Sequence, residues 1–161
     1  MITRILACFK HTEPGLPNSR LLNEKTFYPA LLDDLRACKS EVIIECPFIT
    51  SRRIAKLMRV FRELRQRGVK ITINTRDPRE HDGYLRSEAT PAVAALQSLG
   101  VQVLYTDGHH RKLVILDSKI LYEGSLNVLS QNYSCEIMRR IESGELAAQM
   151  IDFTRLNTFC R

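Results

Sequence analysis

The residue types that could do chemistry are concentrated between positions 110 and 127. They follow the pattern His-x-Lys-x4-Asp-x6-Gly-Ser-x-Asn, filled by His110, Lys112, Asp117, Gly124, Ser125 and Asn127. These are the types needed to attack a phosphodiester. An imidazole can act as the nucleophile, and an ammonium, a hydroxyl and an amide can hold the non-bridging oxygens. The spacing suits the task. In an extended run His110, Lys112 and Val114 alternate, which points His110 and Lys112 to one face of a strand. His109 then points to the other face and is not expected to take part. A turn at Asp117-Ser118 allows a second short strand over residues 119–123. The Gly-Ser-x-Asn that ends this strand returns Ser125 and Asn127 towards the histidine.

The elements that must position these residues can be read from periodicity and punctuation. Residues 11–19 are turn-rich and read as a loop, with 1–20 as an arm of a single domain spanning 1–161. Leu31, Leu32, Leu35 and Cys38 recur at helical spacing, and Pro29 fits a first turn, so a helix is predicted from about residue 28. The run Glu41-Val-Ile-Ile-Glu-Cys-Pro47 reads as a buried strand. Ser51 is a candidate cap for a helix whose stripe is Ile54, Leu57, Met58, Phe61 and Leu64 and which Gly68 closes. Residues 69–74 make a second strand, 77–88 a long loop, 90–100 a helix opened by Pro91, and 101–105 a third strand. A further strand is expected over 134–140 and a closing helix over 144–157. Three strand–helix units in a row predict parallel strands with right-handed crossovers. The hairpin at Asp117-Ser118 makes the sheet mixed. The expected fold is therefore α/β: one domain, a mixed but mostly parallel sheet, and helices on both faces.

The stretch His110 to Asn127 resembles the signature of the phospholipase D superfamily, without gap or substitution. The likeness extends more loosely over residues 25–145, with 41–50 and 68–76 similar to the first two core strands. Glu136 stands where many members carry a late carboxylate. The resemblance implies a metal-independent phosphodiesterase that uses no cofactor. In such enzymes two motifs cooperate: one histidine forms a covalent phosphohistidine, and the other protonates the leaving oxygen and then activates water. Only one motif occurs here, so the resemblance implies a site shared across a homodimer, as in small bacterial endonucleases of the superfamily. It further implies that Lys112 and Asn127 bind phosphate oxygens and that Glu136 holds the His110 ring. Asp117 is expected to support the hairpin, and Ser125 to serve as a turn and hydrogen-bonding residue.

Composition narrows the partners. The chain carries a formal charge of +6 and a pI near 9.2, which favours a polyanion. The helix over 51–67 bears Arg52, Arg53 and Lys56 among seven basic residues and one acid, so it could run along a phosphate backbone. Arg76, just past a strand end, and Arg111, inside the motif, are further candidates for nucleic-acid contact. DNA is the first choice of substrate. Phospholipase D or phosphatidyl transferase chemistry is the alternative. So is a non-catalytic nucleic-acid-binding module, since closely similar segments occur in C-terminal domains of bacterial helicase-like proteins and the chain could be a fragment of one. No apolar run is long enough for stable membrane insertion. The five cysteines lack zinc-site spacing, no metal-ligand motif is present, and a reducing, cytoplasmic setting is expected. His11 and His81 fall in loops without identifiable partners.

Overall fold

The computed structural model of the chain describes residues 18–130 and 133–156. Its elements run β1 (Ser19–Asn23), α1 (Phe27–Ala37), β2 (Glu41–Glu45), α2 (Ser51–Gln66), β3 (Lys70–Thr75), a 3-10 turn (Pro78–Glu80), α3 (Gly83–Ser98), β4 (Gln102–Tyr105), β5 (Leu113–Leu116), β6 (Ile120–Gly124), β7 (Ile137–Glu142) and α4 (Gly144–Thr154). The strands form one mixed sheet in the order β1-β7-β6-β5-β2-β3-β4. Only β2, β3 and β4 are parallel to one another, while β1, β7, β6, β5 and β2 pair antiparallel in turn. The sheet is α/β and mixed, as the sequence implies, but antiparallel pairs outnumber parallel ones. The reason is the hairpin. Once β5 enters beside β2 in the opposite sense, β6 and β7 follow by short connections, and β1 adds to the far edge.

The layering follows from crossover handedness. Strands β2, β3 and β4 step outward in one direction, so right-handed crossovers place α2 and α3 on the same face. Phe27, Leu31 and Leu35 of α1 join Ile54, Leu57, Phe61 and Leu64 of α2 and Val93 and Leu96 of α3 in one core cluster. The opposite face carries a smaller cluster, in which Ala147 of α4 packs with Ile43, Ile115, Leu121 and Ile141. Strand β2 is buried on both sides, which explains its unbroken Val42-Ile43-Ile44 run.

Several local expectations shift. The cap of α2 is Thr50, whose hydroxyl accepts from the Arg53 amide at 3.3 Å, while Ser51 Oγ donates to the Glu88 carbonyl at 2.9 Å. The long loop expected over 77–88 is instead a capped 3-10 turn followed by two extra turns of α3, with Pro91 inside the helix. Proline removes only one internal hydrogen bond, and the stripe Ala89, Ala92, Val93 and Leu96 continues through it into the core. Strand β1 lies in the stretch read as arm and lead-in, and β7 starts at Ile137 rather than at 134. Residues 1–17 of the expected arm, with His11, and the end of the expected closing helix lie outside the described residues.

Candidate functional site

Because β5 runs antiparallel to β2, its start lies at the carboxyl end of the parallel strands: Leu113 pairs with Glu45 on one side and Glu123 on the other. This is the edge where open α/β sheets gather their ligands. Here the segment before β5 and the segment after β6 border an open cleft of about 630 Å³, lined by His110, Arg111, Lys112, Ser125 and Asn127, with Glu123 beside them. The four motif side chains proposed for chemistry thus come together. Residues 109–112 join no strand ladder, so the strand expected to carry His110 begins only at Leu113. His110 and Arg111 are exposed there: backbone freed from the ladder is backbone a substrate can approach.

Lys112 folds back over His110. Its Nζ lies 2.8 Å from His110 Nδ1 and donates to the His110 carbonyl at 2.7 Å. The same Nζ is 3.3 Å from His110 Nε2, so the lysine lies within reach of both ring nitrogens. Burial pushes the Lys112 ammonium below its ordinary value, against the opposing pull of Cys46 and Glu136. Asn127 lines the same cleft with its Oδ1 buried and without a hydrogen-bond partner among the described residues. Its neighbours Leu126 and Val128 are fully buried and pin the loop from both sides.

Gly124 has a steric reason. A Cβ there would meet the Ile137 carbonyl at 2.1 Å, so only glycine lets β6 lie this close to β7. The amide of the next residue, Ser125, donates to the Ile137 carbonyl at 2.9 Å, the Ile137 amide donates to Ser125 Oγ at 3.1 Å, and that Oγ donates to Glu136. Ser134 Oγ donates to the other Glu136 oxygen at 2.6 Å. Within the chain, the Glu136 carboxylate is held by two hydroxyls and does not bond the His110 ring. Two short-armed donors reach it first, while the ring is occupied by Lys112.

Asp117 sits at the other end of β5. Its carboxylate accepts from the Lys39, Ser40 and Glu41 amides, from Ser40 Oγ and from Cys38 Sγ, at 2.7–3.2 Å. Burial opposes its charge, but these bonds prevail and hold the acid well below the usual carboxylate range. Asp117 and Ser118 both have positive φ, 51° and 50°, the backbone of a tight hairpin turn usually given to Asn-Gly. The bonds anchoring Asp117 offset that strain.

Beneath the reactive loop lies a polar layer that the motif does not include. Glu45 is fully buried at the end of β2, with Arg111 Nε 2.6 Å from one oxygen and Asn74 Nδ2 donating to the other at 2.9 Å. Thr106 Oγ1 in turn donates to Asn74, and Arg76 Nε donates to the His109 carbonyl at 2.8 Å. The signal for Glu45 was in the sequence, as an acid inside a β-branched run. His109 is 3% exposed; burial, then the cations Arg111, Lys112 and Arg76, hold its imidazole down at about 4. Arg76 and Arg111 therefore serve first as struts of the loop. Of the basic helix residues, Arg53 stacks its guanidinium 3.8 Å from the Tyr28 ring centroid, and Lys56 lines a groove with Leu32 and Arg36, so neither faces the cleft. The Arg52 guanidinium donates to Tyr133 Oη at 3.3 Å. His81 is buried, its ring against Phe48. Among the described residues no cluster of three or more His, Cys, Asp or Glu side chains is arranged for a metal ion, and no helix is long and apolar enough to cross a membrane.

Residues 31–156 match the family described as cardiolipin synthase, PLD-like domain. No curated protein matches the chain in sequence. Among solved structures, a phospholipase D family member, Nuc from Salmonella typhimurium, superposes with a TM-score of 0.69 at 16% identity, covering 84% of this chain and 90% of the other. NucT from Helicobacter pylori gives 0.68 at 18% identity, covering 85% and 92%. Phosphatidylserine synthase from Haemophilus influenzae gives 0.66 at 13% identity, covering 88% of this chain but 38% of the synthase.

Proposed function

This chain belongs to the phospholipase D-like family, and on that premise we propose that it is a metal-independent phosphodiesterase, a nuclease acting through a phosphohistidine at a site completed by a second copy of itself. The observation that carries this reading is the convergence of His110, Lys112, Ser125 and Asn127 on one open cleft. The neutral His110 attacks phosphorus, and the bond to the leaving oxygen breaks as a protonated His110 of the second copy gives that oxygen its proton. The same second imidazole then takes a proton from water, whose oxygen displaces His110 and releases the phosphate. Lys112 and Asn127 bind the non-bridging oxygens, where charge gathers. Glu136, held by Ser125 and Ser134, sits beside the cleft as the nearby carboxylate that orients imidazole across the two-fold. Asp117 acts on the hairpin alone. The formal charge of +6 supports a nucleic-acid substrate, DNA first.

A second reading is favoured by the family's description and by the synthase fold: phosphatidyl transfer, which uses the same chemistry on a lipid. One experiment separates them. Labelled single- and double-stranded DNA and RNA, and phospholipid vesicles, are incubated with the protein in EDTA beside a His110→Ala control. Cleavage of nucleic acid that persists in EDTA and vanishes in the variant supports the nuclease. Headgroup release with nucleic acid untouched moves the assignment to the lipid enzyme. Nucleic acid bound but never cut leaves a binding module. Light scattering tests the shared site: a homodimer has about twice the 18.5 kDa chain mass, and an active monomer would overturn the two-histidine mechanism.

A further inference from the structure

Two highly exposed aromatic side chains among the described residues, Tyr133 at 85% and Tyr84 at 67%, stand near Arg52. Tyr133 Oη accepts from Arg52, whose guanidinium carbon is 5.9 Å from the Tyr133 ring centroid. The Arg52 amide donates to Glu88 at 3.4 Å, and Glu88 lies one helical turn from Tyr84, on the same face of α3. This group is tied to the cleft by two routes. Ser134, next to Tyr133, holds Glu136, which in turn holds Ser125. The Thr50 amide at the start of α2 donates to the Leu129 carbonyl, in the loop that carries Asn127.

A cation beside two exposed aromatic rings suits a strand whose bases are unpaired. The guanidinium meets the backbone, and each ring offers a surface on which any base can stack. In a duplex those base faces are covered by their neighbours. We propose that Tyr133, Arg52 and Tyr84 form a base-stacking platform that guides single-stranded nucleic acid into the His110 cleft, an inference that rests on the nuclease reading. Sequence tolerance follows, because stacking reads no hydrogen-bond pattern.

The chain contains no tryptophan, so Tyr133→Trp supplies a single reporter on the platform. Its emission is titrated with short oligo(dT), oligo(U), a duplex of equal length, and an abasic strand that keeps the backbone and lacks bases. The expected result is quenching by oligo(dT) or oligo(U), the two arms telling DNA from RNA, and little by duplex or abasic strand. Tyr133→Ala weakens oligo(dT) binding roughly tenfold, the size expected for one stacked base. Tyr133→Phe stays near wild type, and affinity for the abasic strand is unchanged in both. Unquenched emission while oligo(dT) is bound and cut, or equal quenching by duplex, overturns the platform and leaves the nuclease intact. A protein that binds and cuts no strand at all overturns both.

Discussion

Strand β5 ends in an acid at one side and an imidazole at the other, and their surroundings differ in kind. The Asp117 carboxylate is surrounded by donors from Cys38, Lys39, Ser40 and Glu41 and is tied to the loop before β2. His110 is exposed in an unpaired segment, touched by a lysine, with the unpartnered Oδ1 of Asn127 in the same cleft. Between them Leu113, Val114, Ile115 and Leu116 are buried, a rigid spacer four residues long. One signature thus contains a part whose hydrogen bonding is closed and a part whose hydrogen bonding is left open for a ligand. The first fixes where the second can be.

The strongest way to break that contrast is at the open end. His110→Ala is expected to cut phosphodiester cleavage by roughly 10⁴-fold or more, as loss of a nucleophile does, with the melting temperature unchanged. A variant melting well below wild type would make His110 a structural residue. Lys112→Ala and Asn127→Ala should each lower kcat by about 10² to 10³-fold, the range for losing one donor to developing charge, again without a stability loss. At the closed end the pattern inverts. Asp117→Ala leaves the Cys38, Lys39, Ser40 and Glu41 donors without their shared acceptor, the first buried and the last half-buried, and a strained turn unsupported, a loss of about 3 kcal/mol. In a domain of this size that is a drop of roughly 6–12 °C by thermal melting. Activity measured well below the new midpoint should stay near wild type, and its loss there would erase the distinction between the two ends.

The smallest effect concerns His109, beside the open end but buried. Its folded value of about 4 lies below the ordinary 6.5, so the unfolded chain binds the proton more readily. The stabilisation is therefore present above pH 6.5 and fades as pH falls towards 4, by about 2 kcal/mol between pH 7 and 5. His109→Asn should flatten the melting profile in that window. A wild-type slope that survives the substitution would assign the acid sensitivity elsewhere. Asp117 contributes in the same direction but lower, losing its effect only as pH falls below the usual carboxylate range.

The grouping of His110, Lys112, Ser125 and Asn127 was legible because these residues are close in sequence and a hairpin returns one pair to the other. The doubly buried β2 and the parallel β2-β3-β4 unit were legible from apolar runs and alternation with helices. What escaped depends on contacts between distant segments. Strand β1 is short and defined only by pairing to β7, and the first turns of α3 are held by Glu88 against the start of α2. The within-chain donors to Glu136, Ser125 and Ser134, were not readable because proximity in a family pattern does not say which donor arrives first. Glu45 was visible as an anomaly, but its partner Arg111 looked like a ligand for phosphate rather than a strut.

The pairing of β1 with β7 also bears on how the chain is made. Ser19 lies opposite Ile141, so the first described strand waits for the last before it has a neighbour. Such long-range closure is slow, because the loop entropy is lost before the contacts repay it. During synthesis the β2-β3-β4 unit with α2 and α3 can collapse early, while β1 and the unpaired edge of β2 remain open to other chains. The cleft gains Glu136 only when β7 emerges. A nascent or truncated chain stopped short of β7 should therefore be sticky but chemically inert, with reactivity arriving as the final event of folding.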